Sequence, residues 1–296
     1  MTITLRSGRI TKETRTDRYQ KRNQLKKIKH KCNRKQSSKQ SQKQSSKQTS
    51  KHSLLKVLLN NAQKEALKYI NLMCKQKNLM VENNIKLKYE TYELVKFNKL
   101  VTMFDKYRVT INFNCYNNLR NISADTHYRN QFEVRTSNGC FDNELRKQWE
   151  NNLFGNKYYK SLGCDRVKYG NLHVGTGKYN IRANGYGSCS LLLKNNIKQR
   201  CTFTYGDSCS QNSETVYTFD YPHMIYNRLD SHDFNKLLKQ QPVALGRYVE
   251  VQIHGKIKLN RDVEAVMAPN LYKKKPDVLM YLKNMVKKNK INLIWY

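Results

Sequence analysis

The stretch Tyr248-Val249-Glu250-Val251-Gln252-Ile253-His254 alternates polar and apolar side chains over seven positions. Such alternation marks a β-strand with two different faces. Val249, Val251 and Ile253 share one face and point to a core. Tyr248, Glu250, Gln252 and His254 share the other, spaced at about 7 Å along the strand. That second face must meet water, a ligand or a hydrogen-bond network, because burying a lone Glu250 costs several kcal/mol.

Four further segments, 109–113, 131–135, 189–193 and 201–205, read as strands, and loops rich in Asn and Gly lie between them. Before residue 106 the period changes. Leu55, Leu58, Leu59, Ala62, Ala66, Ile70 and Met73 recur at steps of three and four, which predicts a helix over 54–77 with Ser53 as its cap. A second helix is expected over 86–104 and a short one, carrying Trp149, over 143–153. Pro276 suits the first turn of a last helix with Val278, Leu282 and Met285 inward. The final six residues, INLIWY, read as a closing strand or a packed terminus. The fold class expected is α+β: a helical part over 54–105, then a sheet-rich body over 106–296 with long loops. Residues 54–296 are expected to form one domain.

The chain of 296 residues carries 56 Lys and Arg against 22 Asp and Glu, a net charge of +34. Residues 1–53 hold 17 cations and 2 acids; the remainder holds 39 and 20, so the body is basic as well as the tail. Such a surface favours polyanions: nucleic acid, phosphorylated cofactors or anionic lipid. A compositional origin, in a sequence dominated by Lys, Asn and Tyr, is the plainer alternative. Residues 36–51, QSSKQSQKQSSKQTSK, have nothing apolar to bury, so 1–53 is expected to be a disordered tail. Within it Lys26, Lys27, Lys29, Arg34 and Lys35 form a basic cluster suited to a nucleic-acid arm or a nuclear address. No stretch approaches the ~20 apolar residues of a membrane span. The start has no apolar run of the secretory type, so an intracellular protein, cytoplasmic or nuclear, is expected. The eight cysteines form no C-x-x-C pair and are expected to be reduced and mostly buried.

Several strings occur in order: Asn61 to Leu67 (NAQKEAL), Tyr128 to Glu133 (YRNQFE), Ser137-Asn138-Gly139, Trp149-Glu150 and Leu153-Phe154-Gly155. They continue with Lys168 to Leu172 (KYGNL), Tyr186 to Cys189 (YGSC), Thr202 to Ser208 (TFTYGDS), Tyr248 to Gly255 (YVEVQIHG) and Asp262 to Val266 (DVEAV). The series resembles the bacterial domain-of-unknown-function family 3626 over residues ~55–270. The resemblance implies one continuous domain and a cytosolic setting, and it brings no activity. Members typically carry a string near HFHPDR after the early strand; here it reads Asn112-Phe113-Asn114-Cys115-Tyr116-Asn117.

A weaker likeness is to the ADP-ribosyltransferases. Their pattern is an early Arg or His, then an aromatic with Ser-x-Ser, then a late strand with Glu or Gln at alternate positions. Arg129, then Tyr186 with Ser188 and Ser190, then Glu250 and Gln252 supply that order. The likeness implies NAD as the dinucleotide used, Glu250 and Gln252 as the catalytic pair, and Arg129, Ser188, Ser190 and His254 as cofactor-binding groups. Its second late position is Gln where Glu is usual. Each residue also has a structural role open to it: Arg129 paired with Glu133 or Asp125, Glu250 with a nearby cation, Gln252 and His254 satisfied within the sheet. Asp207 and Ser208 read as turn and cap residues. The alternative function is a non-enzymatic, basic nucleic-acid-binding or interaction protein, with Tyr and Lys interleaved at Tyr272 to Lys275.

Overall fold

The structure, a computed structural model, describes residues 58–88, 91–135, 142–173, 186–209, 211–222, 231–239 and 248–296. All fall within one unit of the chain, Leu55–Tyr296. The expected tail 1–53, Ser53 and the basic cluster Lys26, Lys27, Lys29, Arg34 and Lys35 lie outside the described residues.

Helix α1 (Asn61–Lys88) carries Ala62, Ala66, Ile70 and Met73 of the helix expected over 54–77, of which positions 54–57 lie outside the described residues. Asn60 and Gln63 cap it reciprocally, each side-chain oxygen accepting from the other's backbone N–H at 3.0 Å. Helix α2 (Thr91–Lys106) leads into β1 (Arg108–Phe113), and Asn114 then caps α3 (Cys115–Ala124). A two-residue strand, β2 (His127–Tyr128), precedes α4 (Gln131–Val134). The expected strand over 131–135 is therefore a helical turn. Asn130 and Glu133 form a complete capping box, and Arg135 closes the turn with φ 55°. Helix α5 (Asn143–Leu153) and strands β3 (Lys168–His173), β4 (Cys189–Leu193), β5 (Cys201–Tyr205) and β6 (Val216–Thr218) follow. Then come α6 (Ser231–Leu238), β7 (Val249–Ile253), β8 (Ile257–Lys258), α7 (Leu259–Asp262) and β9 (Val263–Ala268). Helix α8 (Pro276–Asn289) takes Pro276 in its first turn, and β10 (Asn292–Trp295) closes the chain.

Eight strands form one mixed sheet in the order β10-β9-β4-β1-β3-β7-β5-β6; β2 and β8 pair separately. Among the described residues only the β9–β10 pairing is parallel. The fold class is α+β. Strand β7 lies inside the sheet, between β3 and β5, so both its edges are paired, and all five of its residues are buried.

The two faces of the sheet differ as the alternation in β7 requires. Val249, Val251 and Ile253 join a large apolar cluster with Ile111, Phe113, Leu191 and Phe203, roofed by Met103 and Phe104 of α2 and Leu282 and Met285 of α8. The register places Glu250 between Asn171 and Thr204, and Gln252 between Tyr169 and Thr202. Over β5 and β6 this second face is closed by Ala66, Ile70 and Cys74 of α1 together with Leu153, Phe154 and Tyr158. Over β4 and β9 it carries a small apolar patch of Leu192, Ala265 and Met267. Between these two patches, over β1, β3 and β7, the face is polar.

Two buried ion pairs brace the layers. Arg166 donates to Glu150 at 2.8 Å and Arg200 to Asp262 at 3.0 Å, with all four side chains at most 5% exposed. The expectation that all cysteines are reduced is corrected at one place. Cys115 and Cys189 are joined in a disulfide, because the start of α3 and the start of β4 bring their Cα atoms to 5.8 Å. Cys74, Cys164 and Cys201 are free thiols. Among the described residues no helix is long and apolar enough to cross a membrane.

Candidate functional site

A cleft of about 320 Å³ opens on the polar part of the sheet. Asn112, Asn171 and Glu250 form its floor from three adjacent strands. Its walls come from α3, the segment 127–132, Arg146 and Trp149 of α5, Tyr186, and the loop Asp207–Cys209. Gly187 keeps Tyr186 in that wall. It takes φ 120°, and a Cβ there would strike the Phe113 carbonyl, so glycine is required.

Glu250 is 6% exposed, yet it lines the cleft. It accepts from Gln252 Nε2 at 3.0 Å and from the Tyr248 hydroxyl at 3.2 Å, and the Ser208 hydroxyl bonds to it as well. Burial pushes its carboxyl up to about 7. The Asp207 carboxylate raises it further, while the Ser208, Gln252 and Tyr248 bonds act the other way. The Tyr248 hydroxyl lies 3.2 Å from that of Tyr186, so two phenol rings stand beside the carboxyl.

Arg129 lines the same cleft from the short β2 segment. It is exposed and grips Asp125 with two bonds, Nε at 2.9 Å and a terminal nitrogen at 2.8 Å. Those bonds hold the Asp125 carboxyl below its ordinary range. Of the two pairings open to Arg129 in sequence, Asp125 is the one formed. Arg146 stacks 4.6 Å over the Tyr169 ring, and the Tyr169 hydroxyl donates to Glu150 at 3.1 Å.

The other expected site residues lie apart. The Ser188 hydroxyl pairs with that of Tyr272 at 2.8 Å, and Ser188 does not line the cleft. Ser190 is buried beside the floor, on the strand next to Asn112, and donates to the Asn112 side-chain oxygen at 3.3 Å without lining the cleft. Gln252 and His254 have no exposure at all. Gln252 donates to Thr204 at 3.1 Å and accepts from Thr202 at 3.1 Å. His254 is enclosed by Tyr158, Phe154 and Thr202, and burial pushes its imidazole down to about 3, so it is neutral. His254 therefore has no direct path to a ligand in the cleft. The serine that meets Glu250 is Ser208, together with Asp207 from the turn after β5. Its place follows from pairing: Thr204 lies opposite Glu250, and the Gly206 amide donates to the Tyr248 carbonyl at 2.6 Å. Only an assignment of β5 as the partner of β7 could have found it. Among the described residues no group of three or more His, Cys, Asp or Glu could hold a metal ion.

The string Asn112 to Asn117 starts at the cleft. Asn112 and Phe113 line it, and Asn114 turns outward to cap α3 through the Tyr116 and Asn117 amides. A family model described as a protein of unknown function, DUF3626, matches residues 117–238 and 223–296. That span contains Arg129, Ser208 and Glu250. No curated protein matches the chain.

Proposed function

The chain belongs to this family of proteins of unknown function, and on that premise we propose that its cleft is an enzyme site of the ADP-ribosyltransferase kind, with NAD as the glycosyl donor. The observation that carries this reading is a buried carboxyl, Glu250, and an exposed guanidinium, Arg129, lining one cleft of about 320 Å³. That volume suits a small molecule. Breaking the bond between nicotinamide and ribose builds positive charge on the sugar. A carboxylate already aimed there stabilises it without reorganisation, and Glu250 has that role. Arg129 suits the pyrophosphate through the guanidinium N–H groups that remain beyond its two bonds to Asp125. Tyr186 and Tyr248 offer ring faces to the base. Ser208 takes the bracing role first assigned to Ser188 and Ser190.

The test is a titration with NAD, followed by a turnover assay for nicotinamide release. Saturable binding is expected, weakened about tenfold or more by Arg129→Ala, the scale of a lost charge-assisted bond. Glu250→Gln keeps the shape of the side chain and is expected to abolish turnover with little change in folding. NAD binding that neither substitution alters would sink the reading.

A second reading, a basic nucleic-acid-binding module, is favoured by Lys273, Lys274 and Lys275. All three are exposed, and Lys273 lies 5.2 Å from the Trp295 ring centroid. Oligonucleotide binding that falls steeply with salt and ignores Glu250→Gln would select it.

A further inference from the structure

Leading from the protein interior to Glu250 on the cleft floor, five side chains bond in sequence: Tyr158 with His254 Nδ1 at 2.7 Å, His254 Nε2 with Thr202 Oγ1 at 3.2 Å, Thr202 with Gln252 Oε1 at 3.1 Å, and Gln252 Nε2 with Glu250 Oε1 at 3.0 Å. The first four are at most 2% exposed. The direction of every bond can be worked out. Gln252 Oε1 only accepts, so the Thr202 hydroxyl spends its single proton on it. The Thr202 oxygen then accepts from His254, whose Nε2 must carry the hydrogen. A neutral imidazole has one N–H, so Nδ1 accepts from the Tyr158 phenol. Thr204 fixes the amide from the other side. Its hydroxyl donates to the Gly206 carbonyl at 3.0 Å, so its oxygen is left to accept from Gln252 Nε2 at 3.1 Å.

We propose that Tyr158, His254, Thr202 and Gln252 are positioning residues, a chain of donors all pointing one way, which aims the Gln252 N–H at Glu250 and so holds the cleft carboxyl in one pose, ready to carry charge. No member of the chain touches a ligand. The chain explains why the second position of the late pair works as Gln: an amide locked by two threonines presents a donor, where a second carboxylate would repel Glu250. His254 is then the group that sets the orientation of the amide, acting through Thr202. That this pose serves a reaction rests on the proposed function; the chain itself is tested without turnover.

Other charged or titratable groups also act on Glu250: Asp207 from the turn after β5, Tyr248 on its own strand, Tyr186, Tyr169 of β3 and Arg146 of α5. A change made at Thr202 leaves all of these in place. Two measurements on the full chain decide. The first is ¹⁵N NMR of the histidines, with His254 assigned by its loss in His254→Gln. The Nε2–H tautomer is expected throughout pH 5–9, and an Nδ1–H signal would overturn the proposal. The second is the titration midpoint of Glu250, followed by ¹³C-carboxyl NMR and assigned through Glu250→Gln. Thr202→Val keeps the shape and deletes the hydroxyl. It is expected to raise the midpoint by about half a unit or more, as the loss of one donor's guidance would. Thr202→Ser restores the hydroxyl and is expected to return the midpoint to its original value. A midpoint unmoved in folded Thr202→Val, or raised equally in Thr202→Ser, would overturn the proposal. If NAD proves not to be a substrate while these shifts appear, the enzymatic reading fails and the donor chain stands.

Discussion

Glu250 sits among groups that oppose its charge and groups that welcome it, and the balance sets a pH dependence of folding. Its carboxyl, ordinarily near 4.5, is pushed up to about 7 by burial, with Asp207 adding to the effect. A carboxyl raised on folding favours the folded state most below its unfolded value. That contribution is lost as pH rises through the folded value. The loss between pH 4.5 and 7 amounts to roughly 3 kcal/mol. Glu250→Gln removes the ionisation and keeps the bond to Gln252 within reach. Its stability relative to wild type is therefore expected to improve between pH 5 and pH 8, read by urea unfolding at both. Two variants whose stabilities run parallel across that range would show that Glu250 does not titrate on folding. This residue was legible in sequence because alternation in a strand assigns faces without any knowledge of neighbours. Ser208 was not, since a turn residue meets Glu250 only through the pairing of β5 with β7.

At the scale of elements, the segment 131–135 shows how a local cap overrides an apparent alternation. Phe132 and Val134 suggested a strand, but Asn130 and Glu133 stand at the spacing of a capping box, and two backbone amides are satisfied by closing a helical turn. That signal was present in the residues and outweighs two apolar positions in a five-residue window. The cap also anchors the wall that carries Arg129. The Asn130 side-chain nitrogen donates to the Gly163 carbonyl at 2.7 Å and to the Arg166 carbonyl at 3.2 Å, in a residue only 6% exposed. Asn130→Ala removes the cap and takes one donor from each carbonyl, leaving Gly163 with the Arg166 amide at 3.3 Å and Arg166 with Lys168 Nζ at 3.1 Å. A loss of about 2 kcal/mol or more is expected in chemical denaturation. Asn130→Asp keeps the cap oxygen but sets a carboxylate against those carbonyls, so it too is expected to destabilise. If alanine costs less than about 0.5 kcal/mol, the turn is held by other contacts and the cap is incidental.

For the whole molecule, the strands with regular alternation or apolar runs could be read one at a time, but their order could not. Strand β3 hides because Lys168, Gly170 and Asn171 break its pattern; Gly170 is needed where the Thr110 carbonyl crosses closely. Strand β6 is too short to show a period. The pairing of Cys115 with Cys189 was invisible for the same reason, since 74 residues separate them and only the β1–β4 register brings them together. That separation gives the disulfide its weight. Closing a loop of this length costs the unfolded chain entropy worth roughly 4 kcal/mol in the chain-entropy account, and measured bonds typically deliver about 2–4. The bond also ties the start of α3 to the strand that follows Gly187, beside Asn112 and Phe113 in the cleft. Unfolding in denaturant with and without a dithiol reductant is therefore expected to differ by about 2–4 kcal/mol in wild type. In the double variant Cys115→Ala, Cys189→Ala the reductant is expected to change nothing, which separates this bond from the other cysteines. A wild-type chain equally stable in both conditions would show that the two sulfurs are packed side by side as thiols, with the sheet alone holding the cleft wall in place.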